Sequence, residues 1–273
     1  MPPKVMLKVI ALLSLLVALG GMFPRTAMAK SYQIGGHEVQ DYELNDYKYY
    51  KVKRATPVVL LYADKTKKTR QLPKGTVVIG NKFKGSAVEK PAISFYLGQL
   101  DYKFLNKGRP KNVELLSTSG TIGSKRPQDY QRIARPAYLP ALSLGTLRQM
   151  KFTTNPNQDN QVHSQLKVTS NGFAEFTRFK NPNAVNGNQR PQFQEKIQKA
   201  TNRGNTRQFY FAKKVPGWGM KRVHQSGKLK YRLTVVNQHR PFRTAGDPDD
   251  PNALFWSRYT VGGKTLVTII GQA

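Results

Sequence analysis

Hydrophobic positions from residue 49 onward fall into short runs with the spacing of β-strands. Residues 50–53 alternate between apolar and basic, residues 57–62 are apolar and β-branched, and residues 76–80 form an apolar run closed by glycine. Residues 93–97 and 102–105 contain two further apolar runs of similar length. Runs of this length bounded by polar turn residues are typical of strands, so this part of the chain predicts a small β meander.

Two β-hairpins are predicted in the second half of the chain. Asn171-Gly172 lies between two runs that alternate in hydrophobicity, and Gly262-Gly263 separates two β-rich runs farther along. Both dipeptides suit a tight hairpin turn because their residues tolerate positive φ angles. The Gly262-Gly263 hairpin is the clearest structural signal in the sequence.

One helix is predicted in this half. Residues 192–200 would place Phe193, Ile197 and Ala200 on one helical face. The expected fold class is therefore mainly β, with one or two short helices. The predicted organisation is a small β domain over residues 30–112, a linker or long surface loop over 113–136, and a β-rich C-terminal domain over 137–273.

The first 29 residues have the composition of a secretory signal peptide. Lys4 and Lys8 precede a nearly uninterrupted apolar run over residues 9–23, and Ala27-Met28-Ala29 supplies small residues at the cleavage site. The alternative is a membrane anchor, but an apolar run of about 15 residues is shorter than the roughly 20 needed to span a bilayer. Cleavage after Ala29 is therefore expected, with no membrane-spanning segment in the mature chain.

Acidic residues gather just after this leader, at Glu38, Asp41, Glu43 and Asp46. Two alternatives stay open for this stretch: it folds back onto the basic body, or it forms a solvated extension. Charge blocks alone do not decide which contacts form.

Residues 49–80 carry a family resemblance. A pair of predicted strands leads into Leu72-Pro73-Lys74-Gly75-Thr76 and then into another strand, which resembles bacterial SH3-like cell-wall modules. The Asn-x-Arg segment usual in that family is missing. The resemblance implies a small β-barrel, an SH3-like domain, that docks polymers of the cell envelope.

The charge balance is the strongest functional signal. The chain has 45 Lys plus Arg against 15 Asp plus Glu, a net charge of +30, and only Lys4, Lys8 and Arg25 of these cations lie in the leader. So large an excess causes self-repulsion that solubility alone does not explain, and a polyanionic partner would offset it. The predicted anion-binding residues are Lys51, Lys53, Lys65, Lys67, Lys68, Arg70, Lys228, Lys230 and Arg232. The last three alternate with apolar residues, which predicts a strand with its cations on one face.

Few residues have the spacing of a catalytic or metal site. Cysteine is absent, which excludes disulfides, thiolate metal sites, a cysteine nucleophile and a lipoprotein anchor. The four histidines lack metal-binding spacing. Ser164-x-x-Lys167 matches the Ser-x-x-Lys motif of penicillin-recognising enzymes, but the neighbouring residues predict a strand, on which Ser164 and Lys167 would face opposite sides.

Two other features have a functional and a structural interpretation. The acidic residues Asp247, Asp249 and Asp250 could hold a hard cation, although the prolines around them favour a plain surface turn. Trp218 lies between glycines and either presents its ring to a ligand or fills the core, and core filling is favoured. No cofactor is predicted.

These observations together predict a secreted, non-enzymatic protein of a Gram-positive bacterium, since the absence of cysteine resembles the exoproteins of those organisms. We expect it to stay at the cell surface by binding anionic wall polymers such as teichoic acid. The alternatives are extracellular binding of nucleic acid and, less favoured, an envelope hydrolase of the Ser-x-x-Lys type.

Overall fold

The computed structural model describes residues 30–34, 36–83, 92–109, 113, 127–152, 161–183, 189–244 and 253–272. The expected signal peptide and the acidic stretch 247–252 lie outside the described residues. The described chain is mainly β, which confirms the predicted fold class. None of its helices is long and apolar enough to cross a membrane.

Strands dominate the described part of the chain. In the first half they are β1 (Ser31–Ile34), β2 (His37–Gln40), β3 (Lys48–Val52), β4 (Thr56–Leu61), β5 (Lys67–Leu72), β6 (Val77–Phe83), β7 (Ala92–Phe95) and β8 (Tyr130–Ile133). In the second half they are β9 (Thr146–Lys151), β10 (Gln161–Val168), β11 (Phe173–Arg178), β12 (Phe193–Lys196), β13 (Lys199–Arg203), β14 (Thr206–Phe211), β15 (Lys221–Arg222), β16 (Tyr231–Asn237), β17 (Phe242–Arg243), β18 (Leu254–Val261) and β19 (Lys264–Gln272). The described residues contain one α-helix, α1 (Tyr102–Asn106), and short 3₁₀ turns at Asp41–Glu43, Leu97–Gln99 and Pro127–Asp129.

A four-stranded antiparallel sheet in the order β7-β6-β3-β8 forms the middle of the molecule. Alternation along β3 sends Tyr50 and Val52 to one face, where the β4–β5 hairpin and α1 complete a core. Tyr49 and Ile79 point to the other face and belong to the core of the second half of the chain. The two halves therefore share a hydrophobic core.

The prediction of a linker or long surface loop over residues 113–136 is wrong for residues 127–136, the C-terminal part of this range that the structure describes. Tyr130–Ile133 forms strand β8, which pairs with β3 along the edge of the middle sheet. An ion pair next to the strand also holds it in place: the Asp129 carboxylate lies 2.7 Å from Arg54 Nε. The Arg and Pro residues of this stretch are typical of a loop, so the sequence does not predict a strand here. The partner strand β3 lies about 80 positions earlier in the sequence.

The second half forms an eleven-stranded curled sheet. Its main path is β12-β11-β10-β9-β19-β18-β16-β14-β13, and the short strands β15 and β17 pair with β16 and β18. The concave face buries a large apolar cluster that includes Leu166, Phe176, Phe209 and Leu233. Trp218 packs in this cluster against Phe176 at 5.0 Å between ring centroids, which confirms the prediction of core filling.

Both predicted hairpins are confirmed. Gly262 and Gly263 have φ angles of 54° and 89°, as the two central positions of a tight turn require. In the other hairpin Gly172 alone has positive φ, and Thr169 N donates to Phe173 O at 2.8 Å, so the connection is longer than a two-residue turn.

The acidic N-terminal stretch folds back onto the body. Leu44 forms a β-bridge with Gly271, and Asn45 N donates to Ile270 O at 2.8 Å. Ile34 and Val39 pack beside Leu44 in a small cluster with residues of β18 and β19. This segment was expected in the first domain, yet its partners are the last strands of the chain.

Two local predictions are wrong. Residues 192–200, expected to be helical, contain β12 and the start of β13, which pair with β11 and β14. Residues 102–105, expected to be a strand, form α1, because the Asp101 side chain caps the helix by accepting from Phe104 N at 3.1 Å. Both segments are short, and tertiary pairing or capping outweighs the weak periodicity of so few residues.

Candidate anion-binding surface

Four residues from four adjacent strands form a row across the curled sheet, which we call the cationic row. Lys199 of β13 lies opposite Tyr210 of β14, Tyr210 lies opposite Arg232 of β16, and Arg232 lies opposite Lys221 of β15. Directly opposite residues in antiparallel strands share a face, and neighbouring strands are about 4.8 Å apart. The row is thus roughly 14 Å long, three such spacings.

Strand alternation directs the cationic row away from the core. Phe209 and Phe211 flank Tyr210 along β14 and are buried in the concave face. Leu233 follows Arg232 along β16 and is buried in the same cluster. Because successive side chains alternate between the faces of a strand, Tyr210 and Arg232 project from the convex face.

The electrostatics of the row are unbalanced. Lys221 and Arg232 are like charges placed directly opposite each other, an arrangement that destabilises a sheet. Arg232 Nε is buried and has no hydrogen-bond partner within the described chain. Lys199 Nζ lies 5.9 Å from the centroid of the Tyr210 ring, a cation–π contact that orders one end of the row. A bound anion would relieve the repulsion between the paired cations.

The row borders a shallow polar surface. Thr201, Gln208 and Thr234 form the next row along the same strands. Thr201 and Gln208 line a concavity of about 630 Å³ that Tyr210 and Arg203 also border. Tyr210 Oη donates to Gln208 Oε1 at 2.9 Å, which holds the ring edge beside the concavity. Hydroxyl and amide groups of this kind can bind the neutral parts of an anionic chain.

The ion pairs of the described residues leave the cationic row unpaired. Three are present, Lys48–Asp46, Arg54–Asp129 and Lys167–Glu175, and none includes Lys199, Lys221 or Arg232. The positive charge of the row therefore has no acidic partner among the described residues.

The structure places only one predicted site residue in the cationic row, namely Arg232. The expected strand from residue 228 is wrong at its start, because β16 begins at Tyr231. Lys228 lies in an exposed turn, and Lys230 precedes the strand with its Nζ 6.0 Å from the Tyr231 ring centroid. The three cations therefore do not share one strand face.

The other predicted residues lie on the middle sheet and on the β4–β5 hairpin. Lys51 is exposed on β3, and Lys53 follows it in an exposed position. Lys65 lies in the hairpin turn with φ of 65°, and Lys67 and Lys68 are exposed at the start of β5. These strands belong to sheets separate from the cationic row, so the nine residues do not form one site.

Arg70 differs from its neighbours on β5. It is half-buried, and its Nε and one terminal nitrogen are buried without a hydrogen-bond partner in the described residues. Its cross-strand partner is Val58, a buried residue of the core. Arg70 is thus directed inward, away from the surface where it was predicted to bind.

The anion-binding residues predicted from the sequence do not include Lys199 and Lys221, although Lys221 belongs to one of the basic clusters in the sequence. Lys199 was assigned to the helix predicted over 192–200, and Lys221 belongs to a strand of two residues. The signal that identifies Lys199 is the alternation Lys199-x-Thr201-x-Arg203, followed after a turn by Thr206-x-Gln208-x-Tyr210. It describes a hairpin with one polar face.

The Ser-x-x-Lys motif is not assembled as a catalytic pair. Ser164 is 4% exposed on β10 and donates to Gln149 Oε1 at 2.8 Å. Lys167 lies on the opposite face of β10, where its Nζ is 3.5 Å from Glu175 Oε2. Burial raises the pKa of Glu175, and Lys167 partly opposes that shift. No cluster of metal-ligating side chains occurs in the described ranges.

Searches of protein families, curated proteins and solved structures find no match to this chain. The SH3-like resemblance of residues 49–80 accordingly stays a prediction.

Proposed function

We propose that the protein is a non-enzymatic binder of anionic polymers at the cell envelope, and that the cationic row is its binding surface. The observation that carries the proposal is the direct juxtaposition of Lys221 and Arg232 on a solvent-facing sheet, beside Tyr210 and Lys199. Like charges held together by a rigid sheet are costly alone and favourable in the presence of an anion.

The polymer class follows from charge and context. The net charge of +30, of which the leader contributes only Lys4, Lys8 and Arg25, leaves the mature protein with a long-range attraction for any polyanion. The leader sequence directs the chain out of the cell, where phosphate-rich wall polymers such as teichoic acid are the abundant polyanions of Gram-positive bacteria. An extended polymer lying across the strands would place its phosphates along the row and its neutral groups over Thr201 and Gln208.

Retention on isolated cell walls tests this proposal. The mature protein should be retained on walls that carry teichoic acid, should be released by salt because screening weakens the attraction, and should bind poorly to walls stripped of the polymer. Equal retention on both preparations would contradict the proposed partner.

A pair of triple variants tests the proposed surface. Lys199→Gln, Lys221→Gln and Arg232→Gln together should weaken retention at least about tenfold, if each lost contact contributes about 0.5–1 kcal/mol. Lys65→Gln, Lys67→Gln and Lys68→Gln remove the same charge from the β4–β5 hairpin and should have the smaller effect. Circular dichroism verifies that both variants fold. Equal losses would mean that total charge, and not the cationic row, determines binding.

Extracellular nucleic-acid binding is the second candidate, because Tyr210 lies between Lys199 and Arg232 in the row. An aromatic ring beside cations can stack on a base while the cations contact phosphates. Sub-micromolar binding of single-stranded DNA in a gel-shift assay, without retention on walls, would favour this function. Tyr210→Leu should then weaken DNA binding, because the ring that stacks on a base is removed.

A further inference from the structure

A second site lies apart from the cationic row. A cavity of about 380 Å³ is lined by residues of β9, β18 and β19 and by the 3₁₀ turn Leu97–Gln99. Gln99, Arg148 and Trp256 are the polar lining residues that matter here, and Tyr47 and Ile269 add apolar wall. The volume falls at the small end of the range of ligand-binding pockets.

Two residues that line the cavity each carry a buried polar atom without a hydrogen-bond partner within the described chain, namely Trp256 with Nε1 and Gln99 with Oε1. Trp256 is 3% exposed, and its ring is fixed by an edge contact with Phe152 at 5.5 Å between centroids. Buried donors and acceptors are nearly always paired in native proteins, so an unpaired donor and an unpaired acceptor on two residues that line one cavity point to a ligand.

Arg148 supplies a cation to the same cavity. Its one hydrogen bond in the described residues is long, from Nε to Gln165 Oε1 at 3.5 Å. Val267 lies opposite it on β19, and none of the described ion pairs includes it. Burial lowers the pKa of Arg148, because the guanidinium loses hydration and none of the ion pairs among the described residues compensates it.

These three groups define the chemistry of a ligand. The guanidinium requires an anionic oxygen, preferably a carboxylate that it can contact through two N–H groups. Gln99 Oε1 accepts and so requires a hydroxyl or amide donor, which sulfate and other fully deprotonated inorganic anions lack. Trp256 Nε1 requires an acceptor oxygen. A cation would meet two donors and is disfavoured.

We propose that this cavity binds a hydroxylated carboxylate of about monosaccharide size, that is, a sugar acid, with its carboxylate on Arg148, a hydroxyl donating to Gln99 and a second oxygen accepting from Trp256. The site goes beyond the polymer-binding function and does not depend on the cationic row. Its ligand is either a free sugar acid or a unit of an acidic polysaccharide.

Calorimetric titration with sodium glucuronate and sodium galacturonate tests the site, with glucose and galactose as matched neutral sugars. At least one acid should bind, and each neutral sugar should bind at least about tenfold more weakly, because it lacks the group that pairs with Arg148. This comparison uses the unaltered protein. No binding of either acid, or equal binding of acid and neutral sugar, would overturn the proposal.

Variants then assign the contacts. Arg148→Gln should weaken binding of the acid at least about tenfold, whereas Lys151→Gln removes an exposed cation from the end of the same strand and should leave affinity unchanged. Trp256 is one of two tryptophans, so its fluorescence should change on binding, and Trp256→Phe should abolish that change. Equal affinities of Arg148→Gln and Lys151→Gln would overturn the assignment.

Two further experiments distinguish the two possible sources of the ligand, and distinguish this site from the cationic row. Tighter binding of polygalacturonate per sugar unit identifies a polymer unit as the ligand, and binding of the monomer alone identifies a free sugar acid. The triple variant of the cationic row should keep its affinity for the acid. Loss of wall retention in that variant with sugar-acid binding intact would show that the two surfaces act separately.

Discussion

Arg207 is a buried cation without an acidic partner among the described residues. It is 5% exposed on the concave face of β14, and its Nε has no hydrogen-bond partner in the part of the chain described. Burial lowers the pKa of Arg207, Tyr259 opposes that shift, and the nearby Arg135 adds to it. Desolvation of a charge without a compensating ion costs several kcal/mol, so this position is expected to be a stability defect.

Replacement of Arg207 by methionine should therefore stabilise the fold. Met fills a similar volume without a charge, and we expect the free energy of unfolding to rise by about 1–3 kcal/mol, as for other buried ionic groups replaced by apolar ones. Urea unfolding of Arg207→Met measures the change, with Arg207→Lys as a control that keeps the charge. A loss of stability in Arg207→Met would mean that the guanidinium makes favourable interactions in the folded protein.

Glu175 should make stability depend on pH in an unusual direction. Burial raises its pKa above the ordinary value of 4.5, despite the attraction of Lys167 and the hydrogen bond from Tyr102 N. The folded state thus holds this proton more tightly than the unfolded state. The associated stability is fully present below the unfolded pKa and is lost as pH rises through the folded pKa.

Glu175→Gln removes this titration, and Gln can still accept from Tyr102 N. The stability of the wild type relative to Glu175→Gln should fall as pH rises from about 4.5 toward neutrality. Urea unfolding of both proteins across this range measures the difference. A difference that is constant with pH, or that grows in favour of the wild type, would contradict the raised pKa.

At the scale of elements, the terminal hairpin and the loop before β15 meet through two glycines. A Cβ added at Gly219 would lie 1.9 Å from Gly262 O, and one added at Gly262 would lie 2.0 Å from Trp218 O. Both glycines have positive φ, 60° and 54°. The backbones of the loop and the turn are therefore in direct contact, with no side chain between them. This contact holds Trp218 in the core beneath the β18–β19 turn.

Gly219→Ala should disrupt this contact. Gly204 is a matched control, since its φ of 56° is similar but no atom lies within 4 Å of an added Cβ. We expect Gly204→Ala to cost about 1 kcal/mol from backbone strain, and Gly219→Ala to cost a further 1–3 kcal/mol or so from the clash. Thermal and urea unfolding compare the two variants. Equal losses would mean that the loop and the turn separate easily.

At the scale of the whole molecule, charge repulsion opposes folding. A net charge of +30 accompanies only three ion pairs among the described residues. Added salt screens repulsion between exposed charges, and a bound polyanion neutralises it directly. Both additions should favour the compact state.

The thermal unfolding midpoint should accordingly rise with sodium chloride concentration, and polyphosphate should raise it further at equal ionic strength because it binds the folded protein. Differential scanning calorimetry measures both effects. A midpoint that falls with salt would show that internal charge pairs stabilise the protein, which would also remove the main argument for a polyanionic partner.

The candidate site shows how far the sequence alone reaches. Arg232 could be selected because it alternates with apolar residues in a long strand, which is a local pattern. Lys199 and Lys221 could not, because their proximity to Arg232 depends on β13 and β15 pairing into a sheet with β14 and β16. Gln99, Arg148 and Trp256 come from three distant segments, and no local pattern relates them.

The sequence by itself determined the β class, the turns at Gly172 and Gly262-Gly263, and the excess of positive charge, because alternation, glycine conformation and composition act over a few residues. Tertiary structure alone decided that residues 193–203 form strands, that β8 completes the middle sheet, and that the N-terminal stretch joins the last strands. Backbone hydrogen bonds in a sheet can join any two extended segments, so the choice of partner depends on which pairing buries the most apolar surface across the whole chain.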